Sequence, residues 1–366
     1  MLLALTESQT IINQDGRILY FGLKDFISRI VNGNDCFICG ATPTDVEFNK
    51  EHIIPNWILG RFNLHSKSIT LPNGSSIKYG VYTVPCCKRC NSQLSEVYEN
   101  PMSKLFSKSY SEICDTIAKD FETYTLLFKW LNLIFLKTHL KDRLLRKSLD
   151  HRKDEGNIGD THYWEEMHHI HCIARSHYTN AKIDYKVFGS VFIFPSLRNG
   201  KEGTEDHFDY IDHEVGKGIL LQLGQFTIIG ILNDACGAYS CYMERFSKIK
   251  GPLTIFQSRQ VFTDLLFLNI NLKNRPVFRS SFSATKEYTI EASLPEQAEL
   301  LEKQDQIVQA SEMLSEYVAI ILNPGAENGN QIIAEIREGK RNYLWDDKHE
   351  FIDFSKMDKV IENPLQ

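Results

Sequence analysis

The chain has 366 residues, 42% of them hydrophobic and 24% charged, and a formal net charge of −6. That is enough chain for two or three buried cores in a globular protein of ordinary composition. The acidic balance excludes a protein coated along its whole surface by nucleic acid, so any contact with DNA or RNA is expected to be local.

Residues 1–35 read as a lead-in to a cysteine-bearing segment. Ile18 to Phe21 suit a short strand, and Leu23, Phe26, Ile27 and Ile30 recur at helical spacing until Gly33. Next come Cys36-Phe-Ile-Cys39, then Glu51-His52-Ile-Ile-Pro55-Asn-Trp57, and finally Cys87-Lys-Arg-Cys90-Asn91, with Ser95 and Glu99 beyond. Two C-x2-C pairs are the usual way to place four thiolates around one zinc, each pair turning a tight knuckle. The gap between the pairs exceeds that of a simple ribbon, so a segment is inserted between the knuckles. Cys86 adjoins Cys87, and the two-residue spacing to Cys90 favours Cys87 as the ligand. Val46 to Ile54 and Lys78 to Val84 are expected as strands, with a turn at Pro72-Asn73-Gly74 and a helix over Asn91–Glu99. Trp57 is expected in the core beside them.

This segment, a little under a fifth of the chain, resembles the zinc-stapled HNH endonucleases, written C-x2-C, (D/E)-H-x-x-P, C-x2-C-N. The resemblance implies a ββα-metal fold, with His52 as general base and with Glu51 and Asn91 holding Mg²⁺ or Mn²⁺. Ser95 and Glu99 follow Asn91 on one helical face, where they could support a bound water or form a salt bridge. The implied zinc, on Cys36, Cys39, Cys87 and Cys90, is structural, and the implied substrate is DNA, with RNA left open. The stretch Tyr79–Pro85 lacks the asparagine that the family often carries before its second knuckle. Adjacent strand residues point to opposite faces, so Glu51 and His52 share a site only where the strand twists or ends; Pro55 makes an early end reasonable.

Residues 102–150 read as helical. Ile113, Ile117, Phe121, Tyr124 and Leu127 mark one face, and Leu126 to Leu136 are apolar nearly all round, as in a buried helix. That run, interrupted by Lys129 and Asn132, is shorter than the ~20 residues of a membrane span. Lys137, Lys141, Arg143, Arg146 and Lys147, followed by Arg152 and Lys153, form a basic, turn-rich segment expected to track a phosphate backbone, the alternative being a solvated helix face next to a linker. Asp154–Asp160 is expected as a linker.

From about 161 to 291 the pattern suggests strands: Ile183 to Val187, Val191–Phe194, Ile219–Leu223, Phe226–Leu232, Leu265–Ile270 and Thr285–Ala292. His162, His168, His169, His171 and His177 invite a second metal site, and on a strand His169 and His171 would share a face; with Cys172 the lone accompanying ligand at clear spacing, ordinary polar strand residues are the preferred reading. A helix is expected over 294–322, opened by Ser293-Leu-Pro-Glu296 and stopped by Asn323-Pro324-Gly325. Its seven-residue spacing of Leu300, Ile307, Leu314 and Ile321 admits a dimer seam or a helix packed on the β domain. A further helix is expected over Gln331–Arg337.

The expected fold is α+β. Residues 36–105 form the nuclease module and 106–155 a helical segment. Residues 156–325 form a largely antiparallel β-rich domain with its helix, and 326–366 a tail. Cys114, Cys172, Cys236 and Cys241 are scattered, which suits a reducing compartment, and Met1–Leu5 is too short for a signal peptide. The expectation is a cytoplasmic, metal-dependent DNA endonuclease, by analogy a defence effector, whose acidic β domain binds a small-molecule trigger or a partner. Cutting both strands would require a homodimer or two encounters. Two other classes stay open: a non-catalytic zinc-dependent nucleic-acid-binding protein, or a sensor whose β domain is the main functional unit.

Overall fold

The computed structural model describes residues 3–197, 207–283, 287–322 and 328–356. They form two compact units, one of residues up to Phe188 with Val277–Ser293, the other of Gly189–Pro276 with residues from Leu294 on. The architecture mixes helices with several small, mostly antiparallel sheets. Neither unit coincides with the expected divisions at 105, 155 and 325.

The first unit opens with an antiparallel sheet of β1 (Leu3–Leu5), β2 (Ile11–Asn13) and β3 (Ile18–Tyr20). α1 (Leu23–Asp25) runs on as a wide-turn helical stretch to Val31, burying Phe26, Ile30 and Val31. After the Cys36–Cys39 turn come β4 (Phe48–His52), α2 (Asn56–Arg61), β5 (Ser68–Thr70), β6 (Ser76–Lys78) and β7 (Thr83–Cys87). β4 pairs antiparallel with β7, setting Phe48 opposite Cys87, Glu51 opposite Val84 and His52 opposite Thr83. The Pro72-Asn73-Gly74 turn joins β5 to β6, so it closes a small hairpin inserted between β4 and β7 and does not connect those two directly. Gly74, at φ +78, is where that turn needs a residue without a Cβ.

α3 (Lys88–Leu94) leaves β7 at once, and the helical path continues through Ser95–Glu99 into α4 (Asn100–Leu105). α5 (Tyr110–Lys119) and α6 (Phe121–Asp142) are separate helices. Asp120 breaks between them in an extended conformation, and its side chain accepts from the Glu122 amide at 3.0 Å. α6 is the spine of this unit, burying Leu127, Phe128, Trp130, Leu131, Ile134 and Phe135. Burial of each such side chain contributes about 1.5–3 kcal/mol.

Three expectations fail here. The basic segment is not turn-rich at its start, because α6 stays helical to Asp142. The histidine-rich stretch is no strand but α7 (Trp164–Ala174), followed by α8 (Ser176–Thr179). Met167, Ile170, His171 and Ala174 are buried at three- and four-residue spacing, a helical period that the interspersed histidines obscured. His169 and His171, two residues apart on a helix, are separated by roughly 200° and share no face. β8 (Lys182–Ile183) is a two-residue strand, and Tyr185–Val187 is a helical turn in place of the expected alternating strand.

The second unit is built on an antiparallel sheet of β9 (Ser190–Pro195), β10 (Phe208–His213), β11 (Gly218–Leu223) and β12 (Phe226–Ile231), in the order β10-β11-β12-β9. α9 (Gly237–Phe246) and α10 (Ile255–Ile270) follow. Leu265–Ile270, expected as a central strand, is the last part of α10; Phe262, Leu265 and Leu266 pack there with Leu220 and Ile229 of the sheet. Because Leu265–Ile270 is apolar at every position but Asn269, that stretch carries no period to distinguish helix from strand. β13 (Val277–Phe282) and β14 (Tyr288–Ser293) return to the first unit, where β14 runs parallel to β8.

The helix expected from Leu294 begins only at α11 (Ala310–Ile321), with α12 (Gly329–Arg337) after it. Leu300 bridges to Leu272 and Ile307 is 69% exposed, so the heptad spacing marks no continuous seam. Asn323-Pro324-Gly325 lies outside the described residues. No helix among the described residues is long and apolar enough to cross a membrane.

α10 starts from a reciprocal cap, Thr254 accepting from the Gln257 amide at 3.2 Å while Gln257 Oε1 accepts from the Thr254 amide at 3.0 Å. Thr254→Ala is expected to destabilise the second unit by about 1 kcal/mol, read as a lower urea midpoint.

Candidate functional site

The Sγ atoms of Cys36, Cys39, Cys87 and Cys90 lie within 4.8 Å of one another, and all four residues are buried. Thiolates held at ~2.3 Å around a tetrahedral zinc are about 3.8 Å apart. Cys39 and Cys87 are already at 3.6 Å. Cys86 is the extra thiol, its sulfur 3.8 Å from that of Cys36.

Each knuckle is fixed by its own local structure. In the first, the Gly40 amide donates to Cys36 O at 2.8 Å, and the Cys36 amide to Ala41 O at 2.8 Å. Gly40 has φ +76, and a Cβ there would meet the Phe21 ring at 2.6 Å. α7 supports this turn from behind: His171 Nε2 donates to Phe37 O at 2.8 Å and Arg175 Nε to Ile38 O at 2.5 Å. Arg29 Nη2 adds a bond to Gly40 O at 2.9 Å. In the second knuckle Cys87 is the N-cap of α3, and its sulfur accepts from the Cys90 amide at 3.5 Å.

These sulfurs cannot all ionise unaided. Hydrogen bonds from Cys39, Cys86 and Cys90 hold Cys36 far below the usual thiol range. In turn the hydrogen bond to Cys36 pushes Cys39 up to about 12, and Cys36 and Cys39 push Cys90 higher still. A dication among four sulfurs resolves that repulsion by letting every thiol deprotonate, so the donor set fits zinc.

β4 lies beside this cluster. Glu51 is buried, and its Oε1 accepts from Lys137 Nζ of α6 at 2.6 Å; the same ammonium donates to His52 O at 2.6 Å. Glu99, on the helical path from α3, feels both groups: burial pushes its carboxyl up to about 7, while Lys137 opposes and Glu51 reinforces the shift. The acid from β4 thus binds the buried ammonium, and the acid from the helix feels the positive charge that Lys137 supplies.

Strand alternation places Asn49 and Glu51 on one face, and β4 ends at His52. Asn91 Nδ2 donates to Asn49 Oδ1 at 2.9 Å and to Lys50 O at 3.3 Å, so it lies over the Asn49–Glu51 face. Ser95 is one turn further along the same helical path. His52 is half-buried; burial holds its imidazole below the ordinary 6.5, against Glu51 and a backbone hydrogen bond at Gly80. His65, which no motif singled out, is close enough to depress His52 further, and its Nε2 is 3.0 Å from Asn56 Oδ1.

The basic segment divides. Lys137 cannot reach nucleic acid, because its ammonium is buried on Glu51, and this corrects the expectation for it. Lys141 is half-buried, and Arg143 bonds Asn32 Oδ1 at 2.7 Å and pairs with Asp160. Arg146 and Lys147 are exposed, although Arg146 Nη2 also donates to Lys153 O at 2.9 Å. Trp57 is half-buried against Trp130, ring centroids 6.3 Å apart. No family model, no curated protein and no solved structure matches this chain.

Two expectations arise from the buried charges. Lys137→Met strands Glu51 without its partner and is expected to lower stability by about 3–5 kcal/mol, with Glu51→Gln in the same chain restoring part of the loss in a denaturant titration. Glu99 has a folded pKa of about 7 against an ordinary 4.5, so its contribution to stability is complete below 4.5 and lost as pH rises through 7. Glu99→Gln should flatten the dependence of the unfolding midpoint on pH in that window.

Proposed function

We propose that residues 36–105 are a metal-dependent HNH-type nuclease module acting on DNA, with His52 as general base. The observation that carries the reading is local: β4 ends in a half-buried imidazole held below its ordinary pKa, while a helix rising from four clustered cysteines lays Asn91 across the same strand. A base for water attack must be neutral at working pH, and a depressed His52 meets that requirement. The backbone bond at Gly80 would orient its ring. Asn91, with its amide nitrogen engaged on Asn49 and Lys50, would offer its oxygen to a cation on the Glu51 side. A magnesium or manganese ion, when bound, supplies charge relief at the phosphate and the leaving oxygen. Glu51 would join it only by giving up Lys137.

That same pair favours a second reading. A glutamate already neutralised by a buried lysine has no charge to spare for a divalent ion, which suits a zinc-stapled nucleic-acid-binding module without catalysis. In both readings Arg146 and Lys147 are the exposed cations proposed to meet phosphate, and the second unit is proposed, by analogy with effector nucleases alone, to take a trigger or partner.

Incubating purified protein with plasmid DNA and with RNA, with and without Mg²⁺ or Mn²⁺, separates the two. The nuclease reading predicts metal-dependent nicking, about 10²–10⁴-fold slower in His52→Ala, with the acid limb of the pH profile inflecting below 6.5. Binding without cleavage, alike in wild type and His52→Ala, selects the second reading.

A further inference from the structure

A second group of ligand atoms sits in the first unit, away from the cysteines. His139 Nδ1, Asp142 Oδ2 and His162 Nε2 lie within 4.8 Å of one another. Their side chains are 1%, 4% and 10% exposed. We infer that His139, Asp142 and His162 form a second metal site, for a divalent first-row transition ion of which zinc is the natural occupant.

The separations fit. Nδ1 of His139 is 3.2 Å from Asp142 Oδ2, and Nε2 of His162 is 3.0 Å from the same oxygen. Nitrogen and oxygen donors at about 2.0–2.1 Å from a tetrahedral zinc lie about 3.3 Å apart. The two rings stand edge to face around that oxygen, 5.0 Å between centroids at 86°, so neither blocks the other. Two imidazoles with one carboxylate are a common donor set for such ions.

The placement is rigid before any ion arrives. His139 and Asp142 are one helical turn apart on α6, the i, i+3 spacing by which helices direct paired ligands inward. The segment that carries His162 is held from the other side by contacts that do not involve Asp142. The Ile158 amide donates to Leu145 O at 2.8 Å, Asn157 Nδ2 to Arg143 O at 2.8 Å, and Trp164 Nε1 to Gly159 O at 2.9 Å. A metal here would close the base of the loop 143–157, which carries Arg146 and Lys147.

The inference does not rest on the nuclease reading, and its test reads metal. Full-length protein produced with zinc, then dialysed, is assayed for metal content beside Asp142→Asn and His162→Gln, with circular dichroism to verify folding. The expected result is about two zinc ions per wild-type chain and about one in each variant. Cobalt substitution distinguishes the sites: thiolate charge-transfer bands should survive both substitutions, while the weaker ligand-field bands of a nitrogen and oxygen site disappear. If either variant misfolds, cobalt titration of the wild type decides by showing, or failing to show, a second site without thiolate bands. One zinc per wild-type chain, or two retained in folded variants, overturns the inference and leaves a hydrogen-bonded triad.

Discussion

Four sulfur atoms crowded into one place determine how the chain runs between residues 36 and 94. A turn before β4 and the junction of β7 with α3 are far apart in sequence, and the cysteines bring them together. Between them lie only short strands, a short helix and a small hairpin, which bury Ile53, Ile54, Ile58, Leu59, Phe62 and Tyr82. Closing so long a loop is entropically unfavourable, and a metal held by both ends is an economical way to offset it. Helix α7 shows how much of the surrounding structure serves the same end, since His171 and Arg175 spend their polar atoms on the carbonyls of Phe37 and Ile38.

The buried ammonium of Lys137 is the second constraint, and it acts against the first reading of the motif. It ties α6 to β4 through Glu51 and the His52 carbonyl. It also gives the acid of the Glu-His pair a partner that is neither metal nor solvent. Glu99 makes the region finely balanced, because two carboxyl groups near one ammonium cannot both ionise easily, and burial keeps Glu99 protonated further up the pH scale. Any chemistry at this strand must therefore be compatible with α6 remaining docked.

The sequence shows some of this well and some poorly. Cys36, Cys39, Cys87 and Cys90 were legible because their spacing is dictated by the coordination geometry of one ion, and Leu126 to Leu136 because only a buried helix is apolar on every side. The partner of Glu51 was not, since Lys137 lies in a basic run whose charges read as meeting phosphate or solvent. The end of α10 was lost for the opposite reason: Leu265 to Ile270, apolar but for Asn269, gave no period. α7 was misread because histidines at 168, 169 and 171 looked polar, whereas their rings are packed or bonded to carbonyls such as Phe21 O. The carboxylate that joins His162 is Asp142, twenty positions earlier across a loop, where no local spacing rule reaches.

The central claim is that the cysteine cluster holds a zinc ion that staples the Cys36–Cys39 turn to β7, the partner strand of β4, and to α3. Amide hydrogen exchange, followed by mass spectrometry before and after a strong chelator, tests it most directly. The account predicts that residues 48–52 and 83–94 lose protection when the metal is withdrawn, while the β9–β12 sheet keeps its own. Unchanged protection across 48–52 and 83–94 in verified metal-free protein would contradict it.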